Sequence, residues 1–342
     1  MIYSIPFFRQ LLRQHISGVH TEHISITGTE KNISALWLTC ENNTTSRGTI
    51  FLVNGFSVYG NEDPRIIHLA KAICHMGFHA IIPSFPDINA LRINPGVINE
   101  MADCIQHIAL NDSLCKKGKL TIIAPSYSAG LALKACSDNR CADKLSSILL
   151  IGTYFTIEDC LHFLMHDPAA DDYGRNILLR NFLPYSTFHR QELMPLIDMA
   201  ISDNGFKKRI PGLPVLLKRS HPDVLAEWMR MQHDSAYRLK ILQDARKGFS
   251  NHDQWLASFD LASVLHSINS PVFLLHGKND NVVPSNQSSL LHKALGKLGK
   301  QSYLCISPLI DHGDLQKSPS ALLHTGNLIL FFNHFFRTAS VN

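Results

Sequence analysis

Residues 120–136 read LTIIAPSYSAGLALKAC: an apolar, β-branched run, then Pro-Ser-Tyr-Ser, then small and apolar residues of helical character. A near-continuous apolar run of this length marks a strand buried on both faces of a parallel sheet. A helix is predicted from Ala129 to about Ser137, so the chain must turn sharply between the two. Ser128 is read as the residue in that turn. With Gly130 two positions on, the pattern is S-x-S-x-G, one step from G-x-S-x-G, in which a strained strand-to-helix turn lifts a serine hydroxyl above the sheet. The flanking positions must be small because strand and helix approach closely there; Gly130 meets this, while Ser126 stands where a glycine is usual. Taken alone, such a serine is more often a helix N-cap, so the surroundings decide.

Working outward, the same alternation recurs. EHISITG, NISALWLTC and GTIFLVNG read as opening strands. PRIIHLAKAICHMG has helical periodicity and leads into FHAIIPSF; a helix from about Pro95 to Leu110 leads into KLTIIAP, and the helix after Ser128 leads into LSSILLIG. Strands that alternate with helices imply right-handed crossovers and a doubly wound sheet with its ligands at the carboxyl ends of the strands. Between Gly152 and about His266 the alternation stops and prolines break a helical pattern. It resumes with PVFLLHG, a helix from Ser285 to Leu298, QSYLCIS and a closing helix from about Pro319 to Arg337. The expected fold class is α/β, a mostly parallel doubly wound sheet with a helical insertion, divided as 1–152, an inserted 153–266, and 267–342 returning to the first core.

Composition narrows the function classes. The 342 residues are 45% hydrophobic and 18% charged, which is globular composition. A net charge of +4 on scattered basic residues gives nucleic-acid binding little support. No apolar run reaches the roughly 18 residues needed to span a bilayer. The opening stretch, with Ile5, Phe7, Phe8, Leu11 and Leu12, reads as a helix packed on the body, the rival reading being an interfacial anchor. Eight cysteines without a CxxC pair suit reduced thiols and a cytoplasmic location. No His/Cys/Asp cluster has metal-ligand spacing and no Gly-rich loop is placed to cradle phosphate, so neither metal nor nucleotide cofactor is expected.

Two later segments complete the constellation. In HGKNDNVVP an apolar strand ends at His276 and Gly277, and Asp280 follows in the loop; in LIDHGDL, His312 sits in the loop after the next strand. Over about residues 20–152 and 267–338 the chain resembles the α/β-hydrolase superfamily, whose triad follows the chain order Ser, then Asp or Glu, then His. The resemblance implies Ser128 as nucleophile, His312 as general base and Asp280 as the carboxylate orienting it, Asp311 and Asp314 being rival carboxylates. It also implies an oxyanion hole made of the backbone N–H groups of Ala129 and Phe56, with Ser57 the alternative to Phe56. Asn54 stands where the family has histidine and takes no catalytic part; His276 precedes the acid and reads as structural.

The insertion falls where such proteins carry a helical cap over the site. Between Lys207 and Lys247, ten Lys and Arg residues face four acids. This is ordinarily a solvated face; the alternative is a surface for an anionic lipid or carrier. The expectation is a serine esterase or lipase-like hydrolase acting on a small-molecule acyl ester or thioester, with acyl transfer, thioester cleavage and a binding-only fold as the alternatives.

Overall fold

The computed structural model describes residues 3–28, 31–40, 46–115, 118–249, 252–311 and 321–340. Helix α1 (Ser4–Leu11) precedes strands β1 (Val19–Thr27), β2 (Asn32–Cys40) and β3 (Thr49–Leu52). Alternation then runs through α2 (Pro64–Cys74), β4 (His79–Pro83), the short α3 (Pro86–Asn89), α4 (Val97–Ala109), β5 (Leu120–Pro125), α5 (Ser126–Cys136) and β6 (Leu145–Ile151). Helix α5 starts at Ser126, three residues before the predicted start. The chain resumes the sheet with β7 (Val272–Gly277), α13 (Asn286–Lys297), β8 (Ser302–Ser307) and α14 (Ala321–Ala339).

The eight strands form one sheet in the order β1-β2-β4-β3-β5-β6-β7-β8. β2 pairs antiparallel with β1 and with β4, and every other neighbour is parallel. From β3 the chain crosses to β4 on one side and then returns to β5 on the other, so the winding reverses between β3 and β5. Such a switch point leaves a crevice at the carboxyl ends of the two strands, because the following loops part in opposite directions.

Side chains alternate between faces with the period of two that a strand imposes. Phe51, Ile122, Ile148 and Val272 enter one core with α4, α5 and α13; Ile50, Ile123, Leu149 and Phe273 enter the other with α1, α2 and α14. Phe7 of α1 is 1% exposed, its ring 5.0 Å from Phe332 and 4.9 Å from Phe336. The opening helix is thus packed on the body through Phe7, while Ile5 and Leu12 stay at the surface, 57% and 73% exposed. Helix α5 is buried on nearly every side, which explains why its sequence is apolar all round. Among the described residues no helix is long and apolar enough to cross a membrane, and no disulfide joins the eight cysteines.

Between β6 and β7 the described residues form helices and no strand: α6 (Ile157–His166), α7 (Asp172–Phe182), α8 (Leu193–Gly205), α9 (Leu213–Arg219), α10 (Pro222–His233), α11 (Ser235–Gly248) and α12 (His252–Ala257). They build a third core of their own around Leu164, Ile177, Leu179, Ile197, Trp228 and Ile241. Phe56, Ile157 and Val282 pack against both this core and the sheet. Arg238, counted among the basic residues of the insertion, is not on its surface. It is 2% exposed and donates to the carbonyls of Met165 (2.7 Å), Met231 (3.1 Å) and Gln232 (2.9 Å).

Candidate active site

The turn at the end of β5 falls at Ser126, not at Ser128. Pro125 is extended (φ −100, ψ 157), and Ser126 then takes φ +56, one of three described non-glycine residues with positive φ. Such a backbone costs of order 1–3 kcal/mol for a side-chain-bearing residue and persists only where the surroundings enforce it. Here the surroundings are a strand at the middle of a sheet running without a connecting residue into a buried helix. The small residues two before and two after Ser126 are Ala124 and Ser128, both fully buried.

Ser128, expected as the nucleophile, does not take this turn. It lies in the first turn of α5 at 0% exposure, and its hydroxyl donates to the carbonyl of Asn54 at 2.7 Å. That bond ties the helix to the end of the β3 strand; Ser128 does not line the cavity described below. Ala129, expected to donate to the oxyanion, lies three residues past the turn. A helix leaves its first few N–H groups without intrahelical partners, and at the fourth residue the N–H joins the ladder. The N–H following the turn residue is that of Tyr127. Gly130, read as the small residue of the turn, is small for another reason: a Cβ there would lie 2.1 Å from Cζ of Tyr154.

The other rim of the crevice is Asn54-Gly55-Phe56. A Cβ on Gly55 would lie 3.8 Å from that of Ser126, and the Phe56 ring stacks on Tyr127 at 4.5 Å. The backbone of Phe56 therefore runs beside Ser126. Asn54 is the turn amide expected: its Nδ2 donates to Gly55 O and to Asn89 Oδ1, both at 3.1 Å. Ser57 accepts from the N–H of Tyr59 at 3.2 Å.

Asp280 lies in the turn after β7, 8% exposed, its Oδ1 accepting from the N–H groups of Val282 and Val283 at 2.9 Å each. His276 is fully buried beneath that turn. Its Nε2 donates to Val283 O at 2.9 Å, so in the neutral ring Nδ1 accepts from the Ser288 hydroxyl at 2.6 Å. Nε2 thus holds the loop that carries Asp280, and Nδ1 ties the end of β7 to α13. The segment after β8 crosses directly over the end of β7: a Cβ on Gly277 would meet Ile310 O at 2.5 Å and Asp311 Cα at 3.3 Å. Only glycine lets the two backbones approach this closely. His312, expected as the base, and the rival Asp314 lie outside the described residues.

Ser126, Phe56, Tyr127 and Asp311 line a cavity of about 470 Å³ between the sheet edge and the helical insertion. Its lining is apolar at Tyr154, Ile157, Leu161, Leu164, Ile177 and Leu178; exposed at its mouth stand Tyr59, Arg65, Phe206 and Lys207, and the buried Asp63 also lines it. Asp63 is held below the ordinary carboxylate range: burial pushes its pKa up, but hydrogen bonds from the Arg65 side chain, Ser57 and the Arg65 backbone outweigh burial. Cys160 also borders the cavity, and burial, with Asp159 and Asp280 nearby, raises its thiol pKa, so it stays a neutral thiol and a poor nucleophile.

The profile of the prolyl oligopeptidase family matches residues 224–337. Solved structures with a similar fold include an acylaminoacyl peptidase from Pyrococcus horikoshii, a thermostable esterase from Pseudomonas putida and a dienelactone hydrolase from Anabaena variabilis. The first is 11% identical with a TM-score of 0.52, covering 95% of this chain and 42% of its own. The second is 10% identical, TM-score 0.51, covering 99% and 87%; the third is 12% identical, TM-score 0.50, covering 95% and 100%. This chain thus spans less than half of the acylaminoacyl peptidase. No curated protein matches it. Its sheet order and crossovers are those of the α/β-hydrolase fold that these structures share.

Proposed function

We propose that the protein is a serine hydrolase that cleaves a carboxylic ester through an acyl-enzyme on Ser126. The observation that carries this reading is the positive φ of Ser126 at the strand-to-helix junction, beside a cavity that the same residue lines. In the mechanism, His312 takes the Ser126 proton as the hydroxyl attacks the ester carbonyl, and Asp280 orients the imidazole. The developing oxyanion accepts from the N–H groups of Tyr127 and Phe56, at the positive end of α5. Collapse releases the alcohol, protonated by His312, and water repeats the sequence to release the acid. The helical insertion acts as a cap, its apolar wall seating the acyl chain and excluding water.

Amide cleavage is the second reading, favoured by the match of residues 224–337 to the prolyl oligopeptidase family. The two are separated by comparing acyl esters with blocked peptides on the purified protein. The nucleophile itself is tested by treatment with a fluorophosphonate and peptide mapping by mass spectrometry. The adduct is expected on Ser126, absent from Ser126→Ala and retained by Ser128→Ala. An adduct on Ser128, or labelling that survives Ser126→Ala, would return the role to Ser128.

A further inference from the structure

The chain from Phe206 to Ser220, across the end of α8 and the whole of α9, carries Lys207, Lys208, Arg209, Lys218 and Arg219 and no acid. Interleaved with these are large apolar side chains in water: Ile210 is 86% exposed, Val215 52% and Phe206 41%. Helix α9 buries none of its residues. Single exposed apolar residues are ordinary on a protein surface. Three within ten positions, set among five cations, form the pattern of a segment that lies in the headgroup region of a membrane, apolar side chains down and cations at the phosphates. Lys208 is partly spent on Asp203 at 3.1 Å, but Arg209, Lys218 and Arg219 make no ion pair among the described residues. The segment also borders the site: Phe206 and Lys207 line the cavity that contains Ser126, and Tyr59, at the same mouth, packs edge-on against Phe206 at 5.0 Å. Aromatic side chains with one apolar and one wet end favour the membrane interface.

We propose that residues 206–219 dock the protein on an anionic lipid surface, with the cavity mouth turned towards the bilayer. The exposed Ile210 and Val215 favour lipid over nucleic acid, since a phosphate backbone offers them nothing to enter. The test is sedimentation of the whole protein with vesicles of phosphatidylcholine containing phosphatidylglycerol, and with phosphatidylcholine alone. The wild type is expected to pellet with the anionic vesicles, less so in high salt, and to stay in solution with the neutral ones. Ile210→Glu combined with Val215→Glu, and separately Lys218→Ala combined with Arg219→Ala, are each expected to weaken binding tenfold or more. All four positions are on the surface, and an unchanged thermal melting point verifies that the variants fold. Wild-type protein that remains in solution with both vesicles, equal binding to neutral lipid, or binding indifferent to both pairs of substitutions would each overturn the proposal. A dimer that Ile210→Glu with Val215→Glu dissociates, without vesicle binding, would assign the face to a second copy of the chain. Sedimentation needs no turnover, so its outcome is independent of fluorophosphonate labelling at Ser126.

Discussion

Gly130 and Tyr154 show how tightly the helix that begins at Ser126 is seated. The phenol end of Tyr154 occupies the space a Cβ at position 130 would need, with Cζ at 2.1 Å and the hydroxyl at 2.3 Å, and the ring is 1% exposed. It has nowhere to retreat. Gly130→Ala should therefore destabilise the fold by about 1–3 kcal/mol, the usual cost of overpacking, read as a lowered midpoint of thermal unfolding. The Tyr154 hydroxyl has no hydrogen-bond partner among the described residues. Removing an unsatisfied buried hydroxyl costs little, so Tyr154→Phe should leave stability unchanged or raise it. A loss above about 1 kcal/mol would mean that the hydroxyl has a partner after all. Tyr154 also lines the cavity that Ser126 borders.

Two helix ends illustrate how single side chains close elements around the cavity. Asp63 precedes α2 and accepts from the N–H of Arg65 at 2.8 Å, satisfying one of the donors a helix start leaves open. Asp63→Ala should cost about 1 kcal/mol, typical of a lost N-cap. Because the folded-state pKa of Asp63 is depressed, its stabilisation is complete above the ordinary value of 3.8 and disappears as pH falls through the lowered value. Unfolding midpoints of wild type and Asp63→Ala should accordingly differ at neutral pH and converge in strong acid; a constant gap would refute the charge contribution. Arg238 performs the converse task. The carbonyls it meets, those of Met165, Met231 and Gln232, belong to the last turns of α6 and α10, where no intrahelical donor is left. Arg238→Met should leave these buried acceptors unpaired and lower stability by about 3 kcal/mol in urea unfolding, and Arg238→Lys should not rescue it, since one ammonium cannot span the fork.

At the scale of the whole molecule, the architecture was legible because parallel strands announce themselves: buried on both faces, β3 to β7 are short apolar runs, and the crossover helices α2 and α4 carry a 3.6-residue stripe. Asp280 and His276 were also readable, one as an acid in the loop after β7, the other as a strand-end histidine that bonds that loop and helix α13. The turn residue was misplaced by two positions because the reading was anchored on Gly130. The pentad Ala124-Pro125-Ser126-Tyr127-Ser128 also has a small residue on each side of Ser126. Nothing local distinguishes that pentad from Ser126-Tyr127-Ser128-Ala129-Gly130, since both offer a central serine with small flanks. The burial of Arg238 escaped for the same reason, its partners lying up to 73 positions away. The sequence by itself thus determined the layers, the strand succession and the loops that meet at the switch point, because periodicity and apolar runs are properties of neighbours along the chain. Only the tertiary structure decided which serine takes the strained turn, why Gly130 is glycine, and which cations face water, because each depends on side chains that arrive from distant elements to fill or leave a given space.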